Sequence, residues 1–334
     1  MNRYSVVGGG IAGLMTAWSL HHRNALHKIY IAPQGKTASA IAAGVINPIT
    51  GIRFAKTWMA DQLFPTAFET YRSIEKQFGV SFFQQIGILR IAETITQLND
   101  WSARSESDAF AKYVDSSSDI ALFTEKVKLD KGGFFIRGAA KIDVGVLMNS
   151  LTDFFRKKNF IIDEHYEINS DSERVILCEG IEMMGSKMLL KNPVIPVKGH
   201  YLVCDIPELK SEVIIHGKVT VIPQPDGLYR VGSTYQRGEL SETSDESQVL
   251  LLEQLLRQTI KVPYKLRAVL VGIRPSSPDR RPIIGSIDGQ KSIFILNGLG
   301  TKGYSLAPYF SLHLTEHILA GKAILDEVNV NRFL

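Results

Sequence analysis

The first pattern along the 334 residues is a short apolar run, "YSVV" from Tyr4, then glycines, then Ile11, Leu14, Ala17 and Trp18 at helical spacing. A strand, a turn and a helix are predicted. "KIYIAPQG" supplies a second strand, so the chain opens as a β-α-β unit. The small-residue stretch "TASAIAAGVINPITG", Thr37 to Gly51, predicts a helix with Ser39 near its N-cap. Thr57 to Gly79 is amphipathic and aromatic and predicts a helix pair, while "VSFFQQIGILRIA" predicts paired strands. "SARSESDAFAKYVDSSSD" is polar, a loop or surface helix. "GGFFIRGAAKIDVGVLMNSLTDFFRKKN" predicts a short strand, a loop and a helix burying Val146, Leu147, Leu151, Phe154 and Phe155; "RVILCEG" is a further buried strand closing at Gly180.

The pattern then changes. "PVKGHYLVCD", "KVTVIPQPDG" and "LYRVGSTYQ" are apolar or alternating runs between turn residues, which predicts an antiparallel sheet. "ELSETSDESQVLLLEQLLRQTI" is acid-rich and then helical. "SIFILNGLGTKGYSLAPYFSLHLTEHILAG" returns to strand, glycine turn and helix. Nucleotide-type elements therefore stand at both ends, and the fold class expected is α/β, a Rossmann-type domain with an inserted, mainly antiparallel sheet domain. The first domain is placed at residues 1–60, 139–192 and 266–334, the second at 61–138 and 193–265.

Composition narrows the function little. The chain is 45% hydrophobic, with length for about two domains. It lacks the ~18 uninterrupted apolar residues of a membrane helix, and its first strand starts too early for a signal peptide, so a cytoplasmic protein is expected. Only Cys178 and Cys204 occur, which indicates neither a disulfide framework nor a thiolate metal site. A net charge of +4 is too small to argue for nucleic acid. Its distribution says more: residues 1–60 hold no Asp or Glu, whereas Arg3, Arg23, Lys28, Lys36, Arg53 and Lys56 are basic. Pyrophosphate suits that segment better than a nucleic-acid strand.

Gly8, Gly10 and Gly13 spell G-x-G-x-x-G between strand and helix, the context of a dinucleotide site with phosphates on the helix N-terminus. The acid usual about 20 residues later is absent. Ala32, Pro33 or Gln34 stands there, which leaves a ribose held by Gln34 or backbone, or a 2′-phosphate met by Lys36. Gly298, Gly300 and Gly303 repeat the spacing, with too little chain following for a second complete unit. His313, Glu316 and His317 spell H-x-x-E-H, but that helix already serves the glycine turn and no third ligand is evident, so no metal is expected.

"VVGGGIAGL", "RVILCEG", "GIRPSSPDRRPIIG" and "NGLGTKGYSLAP", in this order, resemble the D-amino-acid oxidase family of FAD-dependent oxidoreductases, on its glycine and sarcosine oxidase side. "KIDVGVLMNSL" and "PVKGHYLV" also look like family segments. The resemblance implies noncovalent FAD, a flavin domain with an inserted substrate sheet, and oxidation of a carbon–nitrogen bond. It implies cofactor contacts at Gly8, Gly10, Ile11, Ala12, Gly13, Gln34, Ser39, Ala43, Gly44, Gly180, Gly300, Thr301, Lys302 and Gly303. Arg274, in G-x-R-P, takes the family's place for a substrate-carboxylate arginine, and an arginine fork suits a carboxylate. Tyr235 falls where related oxidases line the pocket, and Thr220 where some have a tyrosine. The late turn would aim a helix N-terminus at the flavin, with Lys302 adding positive charge. Arg53 and Lys56 are candidates for a second anionic group. The expected partner is a small amine or amino acid, with neither membrane nor nucleic acid; a glycine-like modified tRNA nucleoside and a flavin-binding module without turnover are the alternatives.

Overall fold

The computed structural model describes residues 2–33, 37–115, 120–167, 174–185, 193–287 and 292–334. In chain order the first half runs β1 (Tyr4–Val7), α1 (Ile11–His21), β2 (Leu26–Tyr30), α2 (Ala38–Ile41), β3 (Val45–Ile46), β4 (Ile49–Thr50), β5 (Ala55–Lys56), α3 (Ala60–Phe78), β6 (Phe83–Ile91), α4 (Ile95–Ser105), α5 (Asp108–Ala111), β7 (Val114–Asp115), β8 (Gly133–Ile142) and α6 (Val144–Lys157). The second half runs β9 (Ile161–Ile162), β10 (Val175–Leu177), β11 (Ile195–Asp205), β12 (Ile214–His216), β13 (Thr220–Pro223), β14 (Tyr229–Gly232), β15 (Gln236–Arg237), α7 (Glu246–Arg257), β16 (Lys265–Ser276), β17 (Ile283–Ser286), β18 (Ile293–Asn297) and α8 (Gly303–Ala320).

One sheet has the order β17-β18-β10-β1-β2-β9, parallel except for β17 against β18. β1 is buried along its whole length, which is why "YSVV" reads as an unbroken apolar run. α1 packs against α8 and buries every residue but His21. α3 packs on α8 as well, and here the chain solves a local problem. Pro308 has no N–H to give the Tyr304 carbonyl one turn earlier, and the Tyr71 hydroxyl donates to that carbonyl instead at 2.7 Å.

The larger sheet has the order β15-β11-β14-β13-β12-β6-β8-β3, with β16 also on β11 and β7 on β8. It is antiparallel except where β12 runs alongside β6. The α/β class with an inserted antiparallel sheet is thus observed. Sheet membership puts β8 and β16 in the large sheet and α3 on the helices beside the small one.

Several local readings change. "VSFFQQIGILRIA" forms one strand, because Gly87 sits in a bulge opposite β8, where a turn was expected. Likewise the strand expected to be short extends from Gly133 to Ile142, with left-handed Gly138 inside it. Thr57 to Gly79 yields a single helix. Thr37 caps α2 by accepting from Ala40 N–H, which leaves the Ser39 hydroxyl free for another partner. Both cysteines are buried, and burial pushes each thiol up to about 12.

Candidate functional site

A cavity of about 900 Å³ runs from the carboxyl ends of β1, β2 and β10 to the face of the large sheet. At its first end the chain turns at Gly8, whose φ of 118° excludes a side chain and whose N–H donates to the Tyr30 carbonyl at 2.9 Å. Gly13 does not line the cavity; a Cβ there would run into the Gly8 carbonyl, so it lets α1 seat against the turn. The N-cap residue Gly10 gives α1 no side-chain cap and the first turn holds no acid; of its amides, Ile11 N–H donates to Ser39 Oγ at 2.9 Å. A helix N-terminus with open amides, walled by Gly8, Gly9 and Gly10, is a place for phosphate.

Ala43, Gly44 and Gly180 line the same cavity, as do Ile11, Ala12, Ser39, Gly300, Thr301, Lys302 and Gly303. Gln34, with Lys36, lies outside the described residues. The carboxylates that β2 lacks come from neighbouring strands. Glu164, after β9, and Glu179, after β10, line the cavity beside Ala32, and burial followed by Glu182 raises the Glu179 carboxyl. None of Arg3, Arg23, Lys28, Arg53 or Lys56 lines it. The acid-free N-terminal segment therefore serves the helix end more than it supplies cations.

The late turn closes this end from the other side. Gly300–Lys302 forms a short 3-10 turn that leads into α8, and Asn297 Nδ2 ties the end of β18 to the Gly180 carbonyl at 2.9 Å. The Tyr304 hydroxyl donates to the Ser39 carbonyl at 2.8 Å. Lys302 Nζ lies 3.3 Å from Thr57 Oγ1, and its pKa is lowered by burial and then by Arg281 and Arg280.

Toward the large sheet the wall becomes Ile88, Ile214 and Ile222 with Tyr201, His216, Thr220, Ser233 and Arg274. Arg274 stands on β16 opposite Val197, and its Nη2 donates to Ser233 Oγ at 2.7 Å and its Nη1 to the Thr234 carbonyl at 3.4 Å. Its guanidinium lies against the backbone of Gly199, where a Cβ would overlap it. Behind it, His200 is fully buried and positions the Thr234 loop. His200 Nε2 accepts from Asp245 N–H at 3.1 Å, which assigns the proton to Nδ1, 3.1 Å from Thr234 Oγ1. Nothing in the sequence pattern pointed to His200.

Besides Gly13, three residues expected on the substrate side are not brought to the cavity. Tyr235 is 55% exposed and outside it, because the chain leaves β14 there for the edge strand β15, and Ser233 and Tyr201 face inward instead. Arg53 is exposed on the β4–β5 hairpin. Lys56 pairs with Asp61 at 2.5 Å, and Lys112 and Tyr113 share that carboxylate and hold it well below the usual range. The H-x-x-E-H residues serve the end of α8: His313 Nε2 accepts from Leu325 N–H, His317 Nδ1 donates to the Lys322 carbonyl, and Glu316 pairs with Lys322. No group of three potential ligands among the described residues is placed to hold a metal ion. No helix among them is long and apolar enough to cross a membrane.

Two helix N-termini side by side at a glycine-walled cleft, opening onto a sheet that presents an arginine fork, define a flavin-dependent oxidoreductase. The chain belongs to the family described as DAO, FAD dependent oxidoreductase, whose model matches residues 3–317, and FAD is its cofactor. It is similar to the glycine oxidase of Pseudomonas putida, at 24% identity over 96% of this chain and 95% of that protein. It is 21% identical to the tRNA 5-methylaminomethyl-2-thiouridine biosynthesis bifunctional protein MnmC of Idiomarina loihiensis over 91% of this chain, spanning about half, 53%, of that protein. Among solved structures, glycine oxidase from Geobacillus kaustophilus superposes with a TM-score of 0.80 at 20% identity, all of both chains being covered.

Proposed function

We propose that the protein oxidises the carbon–nitrogen bond of a small amino acid or secondary amine to an imine, with Arg274 holding the substrate carboxylate. The reading is carried by one observation: the Arg274 fork, held by Ser233 and Thr234, faces the same cavity as the N-termini of α1 and α8. When bound, FAD would supply the hydride acceptor for the carbon beside the nitrogen, and the imine so formed would be hydrolysed by water. The chain's own residues place the substrate. An anchored carboxylate fixes the position of the reacting carbon, which hydride transfer requires within a narrow tolerance. Ile88, Ile214 and Ile222 give the cavity an apolar wall, and Lys302 with the α8 N-terminus would hold the flavin and supply positive potential against the negative charge of its reduced form. We assign Gly8, Gly10, Ile11, Ala12, Ser39, Ala43, Gly44, Gly180 and Gly300–Gly303 to FAD, with Gly13 acting through the packing of α1. On this reading the small parallel sheet with its helices is the cofactor part and the large sheet the substrate part. The name of the Pseudomonas putida relative, a glycine oxidase along nearly its whole length, supports the substrate class.

The test is an anaerobic screen of the FAD-loaded protein against amino acids and secondary amines, following loss of the oxidised flavin absorbance. Bleaching by at least one carboxylated amine is expected. A fully loaded protein that no amine or amino acid bleaches would overturn the reading. Salt-sensitive binding of tRNA would favour the tRNA-nucleoside alternative, which the half-length match to MnmC raises.

A further inference from the structure

One part of FAD lacks its usual partner, because the chain leaves β2 through Ala32 where a dinucleotide fold carries the acid that binds an adenosine ribose hydroxyl. The register of the small sheet shows what stands beside that place. Leu177 of β10, Val7 of β1, Tyr30 of β2 and Ile162 of β9 form one row across four parallel strands. Two residues further along each strand come Glu179, Gly9, Ala32 and Glu164, and all four line the cavity.

An acid therefore stands on either side of Ala32, and strand spacing separates the two. β9 is next to β2, about 4.8 Å away, whereas β10 lies beyond β1 at about twice that distance. A glutamate side chain spans the first gap and falls short across the second. β9 is held to β2 up to this point, with Ile31 N–H donating to the Ile162 carbonyl at 2.9 Å. Asp163 is taken up by Arg156 of α6 at 2.7 Å. Glu164, the next residue, is exposed on the cavity wall, and its carboxylate makes no hydrogen bond or ion pair among the described residues. Glu179 is the more distant acid and also the poorer acceptor, since it adjoins the Gly8 turn and burial followed by Glu182 raises its carboxyl.

We propose that Glu164 supplies the missing acid from the neighbouring strand, its carboxylate accepting from the hydroxyls of the adenosine ribose of FAD. The inference rests on FAD as the cofactor and is independent of which amine is oxidised. It takes the ribose contact away from the end of β2 and gives it to the edge strand of the sheet.

The test reads cofactor affinity and needs no turnover. Apoprotein is titrated with FAD and with an FAD analogue whose adenosine ribose lacks both hydroxyls, following the shift of the flavin absorption band. A charge-assisted hydrogen bond should make FAD bind at least tenfold more tightly than the analogue to the wild type. In Glu164→Ala the ratio should collapse toward one, and in Glu179→Ala it should persist. Each ratio compares two ligands on one protein, so a general loss of stability cancels. A ratio near one in the wild type, or a ratio kept in Glu164→Ala, overturns the proposal; loss in Glu179→Ala alone gives the ribose to β10. If Glu164→Ala takes up neither ligand, Glu164→Gln decides. It keeps the shape without the charge, so its ratio should fall by threefold or more, and an unchanged ratio there overturns the proposal as well.

Discussion

Gly199→Ala offers a sharp test of the Arg274 assignment, because it disturbs the arginine without removing it. A Cβ at Gly199 would land on the Arg274 guanidinium, and the atoms it meets are the far end of a flexible side chain. The side chain can swing aside, so the fold should be kept and the melting temperature little changed. What is lost is the pose set by Ser233 Oγ and the Thr234 carbonyl. A hydrogen bond to a charged group is worth about 1.5 to 3 kcal/mol, so a misplaced fork should cost roughly 10-fold to 150-fold in the efficiency of flavin reduction. Arg274→Ala sets the upper limit, about 2 to 5 kcal/mol, and Arg274→Lys should fall between, since it keeps the charge without the fork. The assay is stopped-flow flavin reduction by an amino acid and by its decarboxylated amine. Gly199→Ala should slow the first and spare the second. If both are slowed alike, or neither is, Arg274 does not anchor a carboxylate and the amino-acid substrate class goes with it.

Other outcomes follow from the same geometry. Gly13→Ala puts a methyl against the Gly8 carbonyl, a backbone atom that cannot swing away, so stability should fall by about 1 to 3 kcal/mol and the flavin-to-protein ratio on purification should drop; full retention of both would show that α1 is not seated as described. Lys302→Met removes a cation from the cavity wall and should lower the two-electron flavin potential by about 30 mV for each 1.4 kcal/mol of lost stabilisation, whereas an unchanged potential would place Lys302 too far from the flavin to matter. Burial and then Arg90 hold the His216 pKa at about 3 in the fold against 6.5 when unfolded, so the unfolded chain takes up the extra proton between those values. Its contribution is intact above pH 6.5 and declines by about 1.4 kcal/mol per unit as pH falls toward 3. Denaturation between pH 7.5 and 5 should therefore show a steeper acid loss in wild type than in His216→Gln, and parallel curves would count against the buried neutral imidazole.

What could be read from the sequence was what short stretches determine by themselves. The two glycine turns declare themselves because their chemistry is local, and Arg274 was singled out by the motif around it. Tyr235 sits three residues past β14 and depends on which way the chain leaves the sheet, which its neighbours do not specify. "VSFFQQIGILRIA" read as paired strands and is one strand with a bulge at Gly87, since the choice depends on β8, more than 40 residues away. The row Glu179, Gly9, Ala32 and Glu164 exists only through strand pairing across distant segments, and no spacing in the chain encodes it. Glu179 was in view inside "RVILCEG", but its burial against the cavity belongs to the fold.

The hydrogen bonds Tyr71 to Tyr304, Tyr304 to Ser39 and Ile11 to Ser39 join four helices, α3, α8, α2 and α1, far apart in the polypeptide. β18, next to β10 in the parallel sheet, is likewise made long after β1. Every residue from α1 through α8 must therefore be made before this end of the cavity can close, and pairing over such separations is slow relative to local folding. During translation the glycine turn at residue 8 is made first and completed last. A chain that stops before α8 would leave open the faces of α1 and α3 that α8 covers, and would lack the late turn that completes the cavity.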